Sequence, residues 1–177
     1  LLTRERLLHL VNVETFEGMK AWDGRKGTSN PQNTRVGSFT TLGGTGSGHA
    51  MINGGKALEV RGDNDMYWGR YNTDKLPIGG QWLDSNDTTG MQWDVAGSGK
   101  FNVLSFFLVD AADVGAKFSV DVGGTLYSNL LGEGGRLKNG NIQLVTILLD
   151  EAVETLTVNY MSGERFRDAR LELGYGR

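Results

Sequence analysis

Cysteine is absent from this chain of 177 residues. The chain therefore has no disulfide bridge, no zinc–thiolate site and no cysteine nucleophile. A protein of this composition that works outside the cell must be held together by its hydrophobic core, with or without a bound metal ion.

Proline and positive charge are also scarce. Two prolines are too few for a proline-rich disordered or collagen-like composition. The 18 lysines and arginines are outnumbered by 21 aspartates and glutamates, which gives a net charge of −3 and argues against nucleic acid as a partner. No apolar run approaches the roughly 20 residues of a membrane-spanning helix. We therefore expect a globular chain with no transmembrane segment.

Glycine, in contrast, is abundant. The chain has 27 glycines, and many lie in pairs or in close clusters such as GGTGSG at 43–48. Glycine reaches the positive φ angles of tight turns at low cost, so these clusters predict many turns.

Short strand-like runs fill the second half of the chain. From Phe101 to Leu173 they are rich in Val, Leu, Ile, Phe, Thr and Tyr, and many alternate apolar with polar residues. This pattern is typical of antiparallel strands that are half buried. We predict an all-β, antiparallel, jelly-roll-like β-sandwich of about nine to eleven strands. We expect no long helix, and 150–156 is a candidate for one helical turn.

Alternation also predicts which residues face the core. Met91, Trp93 and Val95 are expected on one inward face. The runs 103–109 and 144–149 are apolar at both odd and even positions, which predicts strands that are covered on both sides.

The predicted domain organisation is simple. No internal repeat or linker interrupts residues 13–177, which we predict to form one β-sandwich domain. Residues 1–12 fit either a short terminal helix or strand packed on the sandwich, or an arm that adds a strand to a neighbouring subunit.

Acidic residues near the two ends of the domain predict a metal site. Glu14 and Glu17 lie near the first strand-like run, and Asp168 opens the last one. Because the first and last strands of a sandwich are often neighbours, these carboxylates and a loop carbonyl would form a hard-oxygen site suited to Ca²⁺. The alternative is that they are solvated or pair with the arginines of 165–170, and such surface pairs contribute about 0–1 kcal/mol.

A second acidic group lies in predicted loops of the first half. Its members are candidates for a second metal site or a glycan site, and they are Asp63, Asp65, Asp84 and Asp87. Their spacing lacks the glycine and glutamate of a complete EF-hand loop. The alternative is ordinary Asx turns, in which the side chain bonds its own backbone.

Aromatic residues beside these loops extend the glycan hypothesis. Trp68 lies near Arg70, and Trp82 lies near Asp84 in a predicted loop. An exposed aromatic ring beside polar side chains is typical of sugar-binding sites. The alternative is core packing, because aromatic burial contributes much to the stability of a small protein.

No catalytic motif stands out. His9 and His49 are isolated. A nucleophile elbow needs a glycine two residues before and two residues after its serine, and around Ser47 these positions hold Thr45 and His49. A glycosidase on this fold needs two carboxylates across a cleft, and no pattern selects such a pair. We therefore predict that the protein is not an enzyme.

Several segments together carry a family resemblance. They are VETFEG at 13–18, VGSFTTLGGTGSG at 36–48, GRYNT at 69–73, WLDSNDTTGMQWDV at 82–95, FNVLSFFLVDAADVGAKFSV at 101–120 and FRDARLEL at 166–173. They resemble bacterial secreted proteins with a sorting signal of the PEP-CTERM or VPLPA-CTERM type, over most of residues 13–173. The sorting tail is missing, and Asp168 alone stands where two acidic residues usually precede the last strand, which weakens the implied calcium site.

The resemblance implies a fold, a location and a class of ligand. It implies a jelly-roll domain that is secreted or displayed on the bacterial cell surface, and the start at Leu1 rather than at Met fits removal of a signal peptide. Carbohydrate-binding modules share such a fold, which implies by analogy that the partner is an extracellular glycan or matrix.

These inferences lead to two functional predictions. The first is a non-catalytic extracellular module that is stabilised by Ca²⁺ and binds glycan or matrix. The alternative is a structural subunit that assembles with copies of itself into a surface layer or filament. Its joint would be the N-terminal arm or an exposed sheet edge, because unpaired edges are templates for pairing.

Overall fold

The computed structural model describes residues 12–20, 31–42, 58–61, 81–84, 90–109, 117–128, 142–163 and 170–172. Within these ranges the secondary structure is strand and turn, without helix, and the strands pair antiparallel, as predicted. No helix in the described ranges has the length and hydropathy to span a membrane. The predicted arm lies outside these ranges, except for Asn12.

Nine strands lie within the described ranges. In chain order they are β1 (Gln32–Thr34), β2 (Gly37–Thr41), β3 (Glu59–Arg61), β4 (Trp82–Asp84), β5 (Gly90–Val109), β6 (Lys117–Val122), β7 (Thr125–Tyr127), β8 (Ile142–Gly163) and β9 (Arg170–Glu172).

The two long strands β5 and β8 connect all the others. They pair with each other over most of their length. The start of β5 also pairs with β2, and its end pairs with β9. The end of β8 pairs with β6, so the strands form the order β3-β4-β9-β5-β8-β6-β7, with β1 and β2 attached to β5. One group of strands therefore lies around the first half of β5 and consists of β1, β2, β6, β7 and the second half of β8. The other group lies around the second half of β5 and consists of β3, β4, β9 and the first half of β8.

The two halves of β5 face each other. Residues thirteen apart in an extended strand lie about 43 Å apart, at about 3.3 Å per residue. The ring centroids of Trp93 and Phe106 are nevertheless only 6.2 Å apart, at an interplanar angle of 88°. The strand therefore folds back on itself between them, where the pairing with β8 shifts register between Ala96 and Val103. This fold-back brings the two groups of strands together around a shared core.

The inward and outward positions of β5 exchange across the fold-back. The buried residues are odd-numbered before it and even-numbered after it: Met91, Trp93 and Val95, then Leu104, Phe106 and Leu108. Because the side chains of a regular strand alternate between two faces, the regular alternation is interrupted in the irregular stretch between Ala96 and Val103. The predicted inward face at 91–95 is confirmed.

Aromatic rings form a continuous series through the core. Phe39 stacks on Trp93 at 5.4 Å and also contacts Phe16 at 6.5 Å. Trp93 meets Phe106 edge to face, and Phe106 meets Tyr160 in the same way at 5.1 Å. Each such pair contributes about 0.5–1.5 kcal/mol beyond the burial of its area. The series joins the segment at Phe16 to both halves of β5 and to β8.

Two local predictions about β8 are wrong. The expected helical turn within 150–156 is part of the strand, because Val153 and Thr155 pair with β5; pairing across strands overrides the local preference. The expected burial of both faces over 144–149 also fails. Leu144 and Leu148 are 55% and 60% exposed, since they point away from the core on the outer face of β8.

Candidate functional site

The predicted metal ligand Glu14 is buried, and its carboxylate accepts hydrogen bonds from two backbone N–H groups. Its Oε1 accepts a hydrogen bond from the N–H of Phe16 at 2.7 Å, and its Oε2 accepts one from the N–H of Arg35 at 3.1 Å. The side chain therefore fastens the segment before the first strand to the turn between β1 and β2.

Phe16 shows why that fastening matters. Its backbone is left-handed, at φ 60°, which is unfavourable for a bulky residue. Its ring is fully buried against Phe39. The hydrogen bond to Glu14 holds the strained backbone in the conformation that delivers the ring to the core.

Glu17 is exposed and serves a second attachment. Its Oε1 accepts a hydrogen bond from the backbone N–H of Gln81 at 2.7 Å. The side-chain Nε2 of Gln81 donates to the backbone carbonyl of Met19 at 3.3 Å. These bonds tie the same segment to the residue that precedes β4. The described residues contain no group of three or more His, Asp and Glu placed to hold a metal ion. Asp168 lies outside the described residues, so calcium at Glu14, Glu17 and Asp168 stays a prediction.

The predicted loop at Trp82 and Asp84 is instead the strand β4. Both side chains are buried, Trp82 to 1% exposure, so Trp82 offers no exposed ring face for a sugar. Asp84 lies opposite Glu59, which is also buried, on one side of β4, and opposite Arg170 of β9 on the other side. The local sequence resembled a loop because its polar Asp84 is followed by turn residues, whereas pairing with β3 and β9 makes it a strand. The other predicted members of this cluster lie outside the described residues: Asp63, Asp65, Trp68, Arg70 and Asp87.

A polar sheet face lies on the other side of the core. The register of β2, β5 and β8 places Ser38, Asp94 and Thr157 in one row across the strands. Neighbouring odd positions of β5 point into the core, so this row points outward. A parallel row of polar residues lies beside it and consists of Thr40, Gln92, Asn159 and Asp121.

Asp94 is the centre of the hydrogen bonding on this face. Gln92 Nε2 donates to both carboxylate oxygens of Asp94, at 3.0 and 2.9 Å. The hydroxyl of Thr157 donates to Asp94 Oδ1 at 2.9 Å. The two bonds from Gln92 lie along β5, and the bond from Thr157 crosses from β8; together they fix the orientation of the carboxylate.

A groove of about 740 Å³ opens at the end of this face, and we call it the polar groove. Its described polar lining consists of Asn33, Thr34, Ser38, Asp94, Thr155 and Thr157. Small residues, among them Gly37 and Gly123, leave the space open. The volume falls within the range of about 300–1,000 Å³ that small-molecule sites usually have.

The polar groove combines hydrogen-bonding groups with the apolar residues Val95, Ala96 and Leu156. Four of its described polar groups are hydroxyls, and each can donate and accept. The hydroxyls of Ser38 and Thr155 make no hydrogen bond to other groups in the part of the chain that the structure describes. None of the described lining residues is aromatic. The groove can therefore bind a ligand with many hydroxyl groups, without ring stacking.

The sequence carries a partial signal for this site. Ser38, Gln92, Asp94 and Thr157 are the outward partners of core residues in alternating runs. Alternation identifies such positions in each strand, but their meeting in one groove depends on which strands are neighbours.

Comparison with known proteins adds no assignment. No protein-family model matches this sequence, and no curated protein matches it. The geometry of the polar groove is therefore the basis for a functional proposal.

Proposed function

We propose that this chain is a non-catalytic extracellular module that binds a glycan or matrix polysaccharide in the polar groove. The fold that we propose is a jelly-roll-like β-sandwich, because the fold-back of β5 stacks two groups of antiparallel strands around one core. The resemblance to secreted bacterial proteins supports a location outside the cell or on its surface.

The observation that carries the proposal is the cluster of hydroxyl groups around Asp94. Sugars present hydroxyls that donate and accept hydrogen bonds, and the groove presents matching groups on a rigid sheet face. Asp94 is the one carboxyl group among the described lining residues. Glycoside hydrolysis uses two carboxyl groups beside the scissile bond, so binding is the simpler proposal.

Two threonines of β8 provide a matched test. Thr155 lines the polar groove, whereas Thr146 lies on the outer face of the first half of β8, where its hydroxyl meets that of Ser105 at 3.2 Å. Both are exposed, and a valine replaces each at nearly constant shape. We expect Thr155→Val to weaken binding in a polysaccharide titration by about five- to tenfold, because a net hydrogen bond contributes about 1 kcal/mol. Thr146→Val should bind as the wild type does, and equal binding by all three proteins would contradict the proposal.

Calcium is the stabilising ion in this proposal. Both oxygens of Glu14 already accept backbone N–H groups. Glu14 therefore shapes the segment that would hold the ion. Glu17, Asp168 and backbone carbonyls would supply oxygen ligands, which are the kind that Ca²⁺ prefers. Such an ion would add its stabilisation only when calcium is present.

One observation favours the alternative, a self-assembling structural subunit. Among the described strands, the first half of β8 pairs only with β5, so it forms an edge. Leu144 and Leu148 are exposed on that strand. A long edge strand with exposed apolar side chains is a template for pairing with another chain.

A further inference from the structure

At Asp94 and Thr157 the polar groove presents hydrogen-bond acceptors to a ligand. Oδ1 of Asp94 accepts from Gln92 and from Thr157, and Oδ2 accepts from Gln92. A carboxylate has about four acceptor positions, so Oδ2 keeps one for a ligand. The Thr157 hydroxyl has given its hydrogen to Asp94 and can only accept from a ligand. Both groups therefore require a ligand that donates.

The charge of the groove acts in the same direction. Among the described lining residues, Asp94 alone is ionisable, and no lysine or arginine lines the groove there. The net charge of the whole chain is also negative, at −3. A carboxylate or sulfate on a ligand would lie beside the negative charge of Asp94 and beside acceptor oxygens of Asp94 and Thr157. Such contacts between like charges are unfavourable.

We propose that the polar groove selects neutral, hydroxyl-rich glycans and rejects glycans that carry carboxylate or sulfate groups, with Asp94 as the residue that sets this selectivity. This inference rests on the proposed function, since it names the class of glycan that the same groove binds. Hydroxyl groups of a neutral sugar donate to Asp94 Oδ2 and to Thr157, whereas an acidic sugar has acceptors at the corresponding positions.

The test compares polymers that share one backbone and differ in charge. Neutral and carboxymethylated forms of cellulose, β-1,3-glucan, starch and dextran are titrated into the full chain by calorimetry at about 0.1 M salt. We expect the neutral form of the bound backbone to bind at least about tenfold more tightly than its carboxymethylated form. At about 1 M salt the Debye length falls from about 10 Å to about 3 Å, so this ratio should decrease.

Two variants separate Asp94 from the charge of the whole chain. Asp94→Asn is nearly isosteric and removes the charge inside the groove, so we expect the ratio of the two affinities to fall towards one. Glu151→Gln removes the same charge from an exposed residue that does not line the groove, and it should keep the wild-type ratio.

The outcomes distinguish this inference from the proposed function. If a carboxymethylated polymer binds as tightly as its neutral form, and Thr155→Val still weakens that binding, the groove binds glycans but the selectivity is refuted. An unchanged ratio in Asp94→Asn would refute the role of Asp94. If neither form of any backbone binds, the proposed function fails and this inference fails with it.

Discussion

At Glu14, one buried carboxylate performs a structural task that its sequence context does not reveal. Its two oxygens accept the N–H groups of Phe16 and Arg35, which are distant in sequence and would otherwise need other partners. A buried N–H group without a partner costs about 1–3 kcal/mol, so this side chain stabilises two turns together. The sequence also predicted Glu14 to be a calcium ligand, and the two roles make different predictions.

Glu14→Gln distinguishes the two roles. The amide has one acceptor oxygen, so its NH₂ group would face one of the two N–H donors. We expect a loss of about 1–3 kcal/mol in urea unfolding, equal in EDTA and in excess Ca²⁺. Glu17→Gln, on an exposed side chain, should cost less in EDTA.

Unfolding of the wild type in EDTA and in Ca²⁺ tests whether a calcium ion stabilises the protein. Calcium at about 100 times its dissociation constant would add about 2.7 kcal/mol to the wild type, a shift of several degrees in thermal unfolding. Equal midpoints in EDTA and in Ca²⁺ would rule out a stabilising calcium site. A loss on Glu14→Gln that occurs only with Ca²⁺ would instead make Glu14 a direct ligand.

Tyr160 gives the protein a predicted sensitivity to alkaline pH. Burial raises the pKa of its phenol well above the ordinary value. The unfolded chain releases this proton near pH 10, whereas the native state keeps it. Stability is therefore complete below about pH 10 and falls above it, by up to about 1.4 kcal/mol per pH unit until the native phenol also ionises.

The slope of stability against pH measures this effect. Urea unfolding of Tyr160→Phe between about pH 9 and pH 11 should show a shallower fall than the wild type. Tyr127→Phe is the matched control, because Tyr127 is about half exposed, and its slope should stay that of the wild type. Identical slopes in all three proteins would contradict the prediction.

At the scale of the elements, the turn between β1 and β2 depends on a glycine. Gly37 has φ 116°, which residues with side chains rarely adopt. A Cβ there would collide with the carbonyl oxygen of Asp94 and lie 2.8 Å from the nitrogen of Ala96. The absence of a side chain thus allows β2 to pair closely with β5, beside the polar groove.

Three alanine substitutions distinguish the cost of backbone strain at Gly37 from the cost of the steric collision. We expect Gly37→Ala to lose about 2 kcal/mol or more in urea unfolding, because backbone strain and collision add. Gly124→Ala has φ 93° with open space around its Cβ, so it should lose only about 1 kcal/mol. Gly99→Ala has neither feature and should change stability by less than about 0.5 kcal/mol. A loss at Gly37 no larger than that at Gly124 would exclude the collision.

At the scale of the whole molecule, the two outer faces have opposite character. The face around Asp94 carries Ser, Thr, Gln and Asn side chains, whereas the outer face of the first half of β8 exposes Leu144 and Leu148. The polar face supports glycan binding, and the apolar edge supports assembly. The two functions would use different sides of the protein.

Assembly through β8 is tested by replacing its exposed leucines. If this edge joins copies of the chain, light scattering should show large species for the wild type and a monomer for the double variant Leu144→Thr and Leu148→Thr. Leu126→Thr changes an equally exposed leucine on β7 and should still assemble. A wild type that stays monomeric at all concentrations would refute the alternative.

The sequence by itself determined the strand content and much of the core. Alternation located β6, β7 and β9 and the inward face of Met91, Trp93 and Val95, because each of these depends only on neighbours along one strand. It did not predict that 90–109 and 142–163 each form one strand that folds back, since the glycines at 97–99 also fit a turn between two strands.

Only the tertiary structure decided where the candidate site lies. Trp82 and Asp84 resembled surface residues and are buried, because pairing of β4 with β3 and β9 places them inside. Asp94, Ser38 and Thr157 looked like ordinary outward residues and meet in one groove, because β2, β5 and β8 are neighbours. Alternation is a property of one strand, whereas a site depends on the order of strands, and contacts between residues distant in sequence set that order.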